Sequence, residues 1–281
     1  MPSFTLLIKL MKYSLPLVFA SFITPILTLS DRYFLNLFVS LEEIGVYSIA
    51  YKFGMLINML LVVPLQRTLT PLIYQSGIGQ DAQKIYKDAM FYYALVGCFF
   101  LFAMNVFAPS LLQYFATNDY ASGAAIIPWI ALAYFINGFR SFFRSSLALK
   151  NKTIILGWIG VITIILNIGL NFRLIRDLGV TGAVIATVIS YFFVVSCIYF
   201  NAQRIIRIDW NWIRLIKLAS ITFIAICCYH VLFRLGIHSN IFAALLSLVL
   251  FCVSLLITKT IGWREINGMK VMLNKIVNVR K

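Results

Sequence analysis

Acidic residues are scarce in this sequence, which has only 9 Asp and Glu among 281 residues. All charged residues together make up 12% of the chain, while 62% of it is hydrophobic. Soluble globular proteins have about 25% charged and about 45–50% apolar residues. The composition therefore excludes a water-soluble globular enzyme.

Residues that form catalytic and metal sites are also few. His230 and His238 are isolated, and the sequence contains no HExxH motif, no Gly-rich phosphate loop and no CxxC pair. The five cysteines all lie in apolar runs, which indicates unreactive thiols buried in a membrane. We therefore predict no catalytic residue, no metal and no cofactor, and the chain is not expected to be an enzyme.

Long apolar runs dominate what is present. A bilayer core about 30 Å thick needs about 20 mostly apolar helical residues. Eight stretches meet this requirement: 14–38, 44–64, 90–110, 124–146, 153–173, 180–202, 214–235 and 241–262. An outer-membrane barrel would instead show alternating segments of about ten residues. The sequence thus predicts an all-α integral membrane protein with about eight transmembrane helices.

These stretches divide the chain into three regions. We expect a six-helix transmembrane bundle over residues 1–203 and two additional transmembrane helices over residues 204–262. Residues 263–281 interleave apolar and basic side chains, which is typical of an amphipathic tail at the membrane surface. Residues 66–89 have the same character, and we expect them to lie along the interface too.

Basic residues greatly outnumber acidic ones, and the formal net charge is +15. In a soluble chain this excess would favour nucleic acid as a partner, but here the Lys and Arg lie mostly in loops on one side of the apolar stretches. No nucleic-acid partner is therefore expected, and both termini should be cytoplasmic. The basic residues that depart from this pattern are Arg32, Lys52, Arg173, Arg176 and Arg234.

Polar side chains recur at helical spacing inside four of the stretches. They are Thr24, Thr28 and Asp31; Ser48 and Lys52; Asn137, Arg140, Ser141 and Arg144; and Thr163, Asn167 and Asn171. Polar groups inside a membrane usually face a bundle interior or a watery cavity, so converging stripes would line a polar, basic cavity. The alternative for the Asn and Thr residues is hydrogen bonding between helices.

The candidate substrate-binding residues come from these stripes. They are Lys52, Asp31, Arg32, Arg140, Arg144, Asn167 and Asn171. Lys52 lies among uncharged neighbours, which favours a cation in the cavity unless its helix begins late. Arg32 would alternatively lie with Asp31 at the outer interface, and the alternative for Arg140 and Arg144 is cytoplasmic anchoring by long side chains that reach the lipid headgroups.

Three segments resemble a known family of transporters. Ser14–Leu35 reads SLPLVFASFITPILTLSDRYFL, Ile44–Gly54 reads IGVYSIAYKFG, and Leu166–Tyr191 reads LNIGLNFRLIRDLGVTGAVIATVISY. They resemble the C-terminal half of polysaccharide transporters, the O-antigen and capsule lipid-linked oligosaccharide flippases of the MATE-like exporter superfamily. Together with the number of helices, the resemblance covers nearly the whole chain.

The resemblance implies two six-helix lobes, about two further helices, and a basic cavity that accepts the pyrophosphate and sugars of a polyprenyl-linked repeat unit. It implies transport of O-antigen, capsule or other polysaccharide units across the bacterial inner membrane. The implied partners are the lipid-linked oligosaccharide, the bilayer and the polysaccharide polymerase machinery. Because the first lobe has no counterpart here, we expect either a homodimer that rebuilds the cavity or a truncated reading frame that lacks an N-terminal lobe.

Two other functions remain as alternatives. A membrane-embedded glycan polymerase or acyltransferase would need a catalytic His or acid in an outer loop, and the loop 109–123 offers only Asp119. A drug or cation exporter of the same superfamily would need a membrane carboxylate to couple ions, for which Asp31 is the candidate.

Overall fold

The computed structural model describes residues 4–76, 80–115, 118–234 and 240–258. Within these ranges the chain forms helices and no strand. The α-helices are α1 (Phe4–Ser21), α2 (Ile23–Phe38), α3 (Leu41–Gly54), α4 (Val63–Ser76), α5 (Gln80–Phe115), α6 (Ile127–Gly138), α7 (Arg140–Leu149), α8 (Thr153–Leu178), α9 (Val180–Ile205), α10 (Trp212–Arg234) and α11 (Asn240–Ile257). A π-helical turn, Asn58–Val62, precedes α4.

Seven stretches of the described residues are long and apolar enough to cross a membrane. They are Leu10–Phe38, Leu41–Pro71, Gln83–Phe115, Tyr120–Leu149, Thr153–Leu178, Val180–Ile205 and Trp212–Arg234. These stretches match the first seven predicted from the sequence, and the all-α membrane fold is confirmed. The eighth, 241–262, falls on α11, where the apolar stretch Leu245–Leu255 is shorter. The predicted tail 263–281 lies outside the described residues.

The chain divides into two compact units, one ending at Trp210 and the other beginning at Asn211. In the first unit, α8 and α9 form a hairpin that turns at Gly179, whose φ of 57° glycine adopts without steric penalty. α1 and α2 pack along α8, while α6 and α7 pack along α9. The second unit contains the packed pair α10 and α11.

Small residues allow α9 to approach α8 closely. Gly182, Ala186 and Ser190 are all buried on one face of α9. A Cβ atom on Gly182 would meet the backbone carbonyl of Leu174 and would lie 2.7 Å from the backbone nitrogen of Ile175. Backbone atoms in a helix cannot move aside as a flexible side chain can, so this contact requires glycine.

Three of the spans are interrupted by breaks in the helix. α1 ends at Ser21 because Pro25, four residues later, cannot donate to its carbonyl and would clash with it. The breaks after Gly54 and at Phe139 contain no proline. α6 ends at Gly138 and α7 begins at Arg140, so Asn137 belongs to a different helix from Arg140, Ser141 and Arg144.

The close approach of α8 and α9 generates a test of the fold. Gly182→Ala should lower the free energy of unfolding by roughly 1–3 kcal/mol, because the added methyl forces the two backbones apart. Titration with SDS in bicelles, followed by circular dichroism, measures this change. The matched control is Gly169→Ala on α8, where an added Cβ meets nothing within 4 Å. Equal stability of the two variants would contradict the packing.

Candidate functional site

A buried carboxylate lies at the centre of the first unit. Asp31, on α2, has no exposed surface. It accepts hydrogen bonds from Asn171 Nδ2 at 2.7 Å, from Thr187 Oγ1 at 2.9 Å and from Tyr47 Oη at 3.2 Å. These donors belong to α8, α9 and α3 respectively. One carboxylate therefore ties four helices together.

The hydrogen bonds continue from Asp31 along the interface of α8 and α9. Asn171 Nδ2 also lies 3.1 Å from Asn167 Oδ1, and Asn167 Nδ2 donates to Ser190 Oγ at 3.1 Å. Three of the candidate residues, Asp31, Asn167 and Asn171, are thus brought together. Asn167 and Asn171 both donate hydrogen bonds to residues of other helices. Hydrogen bonding between helices was the alternative to a cavity lining that the sequence offered for these residues.

The Asp31 cluster (Asp31, Tyr47, Asn167, Asn171, Thr187 and Ser190) retains one free acceptor. The Oδ1 atom of Asn171 is buried and accepts no hydrogen bond from any described residue. A carboxylate next to an unused amide oxygen can accommodate a proton or a small hard cation. No group of three or more His, Cys, Asp or Glu side chains that would hold a metal ion occurs among the described residues.

Buried tyrosines extend the polar interior beyond Asp31. Tyr51 and Tyr134 have hydroxyl oxygens 2.8 Å apart, and Tyr51 also lies 3.0 Å from the hydroxyl of Thr28. The hydroxyl of Tyr191 is buried without a partner in the described part of the chain. These tyrosines are not among the residues predicted from the sequence. Tyr47 and Tyr51 are four residues apart on α3, and this spacing was the available signal.

A second polar site, which we call the basic cleft, lies among α1, α4 and α7. It has a volume of about 140 Å³. Its lining residues are Leu17, Gln66, Thr70, Arg140, Ser141, Arg144, Ser145 and Ala148. Arg140 and Arg144 are one helical turn apart and half-buried.

The two arginines of the basic cleft have no carboxylate partner among the described residues, where the ion pairs are Lys87 with Asp209 and Arg173 with Asp177. Two like charges at i and i+4 repel each other, so an anion between them would be stabilising. A guanidinium group is planar and presents paired N–H donors that match the oxygens of a phosphate. The basic cleft is therefore suited chemically to bind a phosphate group.

The structure places the remaining candidates elsewhere. Lys52 is exposed on α3, and this helix begins at Leu41, so a late start does not explain the charge. Arg32 is exposed on α2, whereas its neighbour Asp31 points into the interior. Neither residue lines the basic cleft. The candidate set is thus divided into the closed Asp31 cluster, the open basic cleft and two exposed cations.

The contacts of Asp31 predict a difference between two buried threonines. Thr187 Oγ1 lies 2.9 Å from Asp31 Oδ2 and 2.9 Å from the carbonyl of Ala183 in its own helix, whereas Thr163 Oγ1 has only the carbonyl of Ile159 in its own helix as an acceptor. Thr187→Val should therefore lower the free energy of unfolding by about 1 kcal/mol more than Thr163→Val. SDS unfolding of both variants measures this difference, and equal values would show that the bond to Asp31 contributes nothing to stability.

Comparison with known proteins places this geometry in context. The family model "Polysaccharide biosynthesis protein" matches residues 2–77. This segment contains Asp31 and Lys52, and it contributes Leu17, Gln66 and Thr70 to the basic cleft. A comparison with curated protein sequences finds no match.

The fold resembles that of a solved structure described as the lipid II flippase MurJ in an inward closed conformation. The TM-score is 0.67 and the sequence identity is 18%. The match covers 88% of this chain and 52% of the other, so the chain spans about half the length of that flippase. The predicted resemblance to polysaccharide transporters is thus supported by the family match at residues 2–77 and by the similarity of the fold to that solved structure over most of the chain.

Proposed function

We propose that this chain takes part in moving a lipid-linked oligosaccharide across a membrane, with the basic cleft as the site for the phosphate groups of the lipid. The observation that carries the proposal is the pair Arg140 and Arg144 in a half-buried cleft of a flippase-like fold, without a carboxylate partner in the described residues. The family match to polysaccharide biosynthesis supports the same class of substrate.

The size and lining of the basic cleft fit one part of such a substrate. Pockets that enclose drug-sized ligands have volumes of about 300–1,000 Å³. A cleft of about 140 Å³ is too small for an oligosaccharide but suits a phosphate group. Arg140 and Arg144 would neutralise the pyrophosphate of a polyprenyl-linked repeat unit. The hydroxyls of Thr70 and Ser145 donate to the carbonyls of Gln66 and Ser141 in their own helices, so they would have to rotate to reach the phosphate oxygens. The sugars and the prenyl chain would lie outside.

The distribution of basic residues supports one orientation in the membrane. The loops with most Lys and Arg are kept in the cytoplasm during insertion. Arg140, Arg144, Lys150 and Lys152 belong to the same end of a spanning segment. We therefore place the basic cleft on the cytoplasmic side of a bacterial inner membrane, where O-antigen, capsule or other polysaccharide units would be loaded, with both termini in the cytoplasm.

A complete translocation path needs a second lobe. Lys52 and Arg32 are exposed on the surface of this chain, and a charged side chain in contact with lipid costs about 3 kcal/mol near the centre of a bilayer. A protein surface or a watery cavity facing α2 and α3 would remove this penalty. A second copy of the chain, related by a two-fold axis along the membrane normal, or a separate N-terminal lobe would supply that surface. Polymerase machinery would receive the transported unit.

The Asp31 cluster favours a second candidate function, the ion-coupled export of a drug or another small solute. The buried carboxylate with a free acceptor beside it is the kind of group that binds and releases a coupling ion. Rescue of drug sensitivity without any effect on surface polysaccharide would favour this function over the first.

Substitution of the arginines tests the proposed function. In cells that lack their own flippase, the chain should restore the lipid-linked repeat unit to the outer leaflet. Arg140→Ala and Arg144→Ala should each slow this movement about tenfold or more, because each removes charge-assisted hydrogen bonds. The control is Arg173→Ala, an exposed arginine paired with Asp177. Normal transport by the Arg140→Ala, Arg144→Ala double variant, inserted at normal levels, would refute the proposed site.

Lys52 generates a separate prediction. Lys52→Ala should slow transport in the same assay, because the residue would face the translocation path in the assembled transporter. Lys150→Ala, at an exposed position at the end of α7, is the control and should transport normally. Unchanged surface polysaccharide in the Lys52→Ala strain would exclude a role for this cation.

A further inference from the structure

The break between α6 and α7 depends on a side chain from another helix. The backbone N–H of Phe139 donates to the carbonyl of Ile136 at 3.1 Å, three residues back, and not to that of Phe135. The carbonyl of Phe135 therefore lacks its usual helical partner. The hydroxyl of Tyr93, on α5, donates to this carbonyl at 2.6 Å. Tyr93 thus satisfies the backbone group that the break leaves free.

The ring of Tyr93 contacts both sides of the same break. Its centroid lies 5.3 Å from that of Phe135 in α6 and 5.6 Å from that of Phe142 in α7. It lies 5.0 Å from the ring of Phe139, at the break itself. Tyr93 is 1% exposed, so the ring is fixed among these neighbours. Tyr93 therefore contacts α6, the break and α7 at once.

The π-helical turn before α4 meets the break at the same point. A Cβ atom on Gly138 would overlap the hydroxyl of Tyr93, and it would lie 3.1 Å from Cγ2 of Val62. Val62 is the last residue of the π-helical turn and is buried. We call Val62, Tyr93 and Gly138 the joint. Only glycine leaves room for both side chains at this position of α6.

Two of the three helices that line the basic cleft, α4 and α7, start close to the joint. Arg140 follows Gly138 by two residues on one wall, and Gln66 follows Val62 by four residues on the other. The direction in which α4 and α7 leave the joint therefore determines the separation of the two walls. Packed interfaces of this kind tend to have discrete arrangements, so a small shift at the joint is transmitted along both helices.

We propose that Tyr93 is a positioning residue that sets the width of the basic cleft by holding α4 and α7 at the joint. That the cleft binds a phosphate group rests on the proposed function, whereas the effect of Tyr93 on the distance between α4 and α7 does not. Removing the Tyr93 hydroxyl frees the carbonyl of Phe135 and loosens α7. The cleft then widens, and its affinity for a phosphate group falls.

The width is measured by cross-linking in the full chain in nanodiscs. Thr70→Cys on α4 and Ser145→Cys on α7 both line the basic cleft, and the native cysteines are replaced by alanine. Bifunctional thiosulfonates of graded length report the distance between the two positions. Tyr93→Phe should shift the highest yield to longer reagents. Tyr114→Phe, on the same helix but 86% exposed, is the matched control and should leave the profile unchanged.

Gly138→Ala tests the joint from the opposite side. Its methyl group displaces Tyr93 and Val62, so the cross-linking profile should shift as in Tyr93→Phe. Gly169→Ala, where an added Cβ meets nothing within 4 Å, should behave like the unsubstituted chain. If both joint variants retain the original profile while folded, a positioning role for Tyr93 is excluded.

Binding of farnesyl pyrophosphate, measured by calorimetry on the chain with its native cysteines, separates this inference from the proposed function. Tyr93→Phe should weaken binding about fivefold, as expected for the loss of one buried hydrogen bond. No binding by the unsubstituted chain, together with a shifted cross-linking profile, would refute the proposed function but support the joint. Normal binding and an unchanged profile in Tyr93→Phe would overturn the inference about Tyr93.

Discussion

The hydrogen bonds to Asp31 are the interaction on which the rest of the first unit depends. A carboxylate at membrane depth has no water to solvate it, so the protein must supply every partner. Asn171, Thr187 and Tyr47 do so from three other helices. Because each partner is directional, the rotation of α2, α3, α8 and α9 about their own axes is fixed together. Apolar packing alone would specify these rotations much less strictly.

The positions of the helices around the basic cleft depend on fewer contacts than those around Asp31. α4 and α7 each begin directly after an interruption of a helix, and their directions depend on a few contacts around Tyr93 and Gly138. The first unit therefore combines a core that polar bonds hold in one arrangement with two segments that a single joint positions. The proposed function would use both properties, since a fixed core would transmit the motion of a lobe while an adjustable site would bind and release the substrate.

Much of the fold could be predicted because membrane helices must be long and apolar. The spacing of Asp31, Asn167 and Asn171 also indicated which faces point inward, since polar side chains avoid lipid. The breaks could not be predicted in the same way. Pro25 accounts for the end of α1, but the only local signal at the second break is Gly138, which is weak because many helices tolerate an isolated glycine. The stabilising partner of this break, Tyr93, lies on another helix. The separation of Asp31 from Arg140 likewise depends on tertiary packing that no local pattern encodes.

In the proposed function, the basic cleft receives the phosphate groups of a lipid-linked saccharide. Photo-cross-linking with a polyprenyl pyrophosphate saccharide that carries a diazirine next to the phosphates tests it most directly, in membranes that contain the full chain. We expect adducts within residues 140–148 of α7 and 66–70 of α4, and these adducts should be lost when unlabelled lipid is added in excess and in the Arg140→Ala, Arg144→Ala double variant. Competed adducts confined to other helices, and unchanged in the double variant, would contradict it.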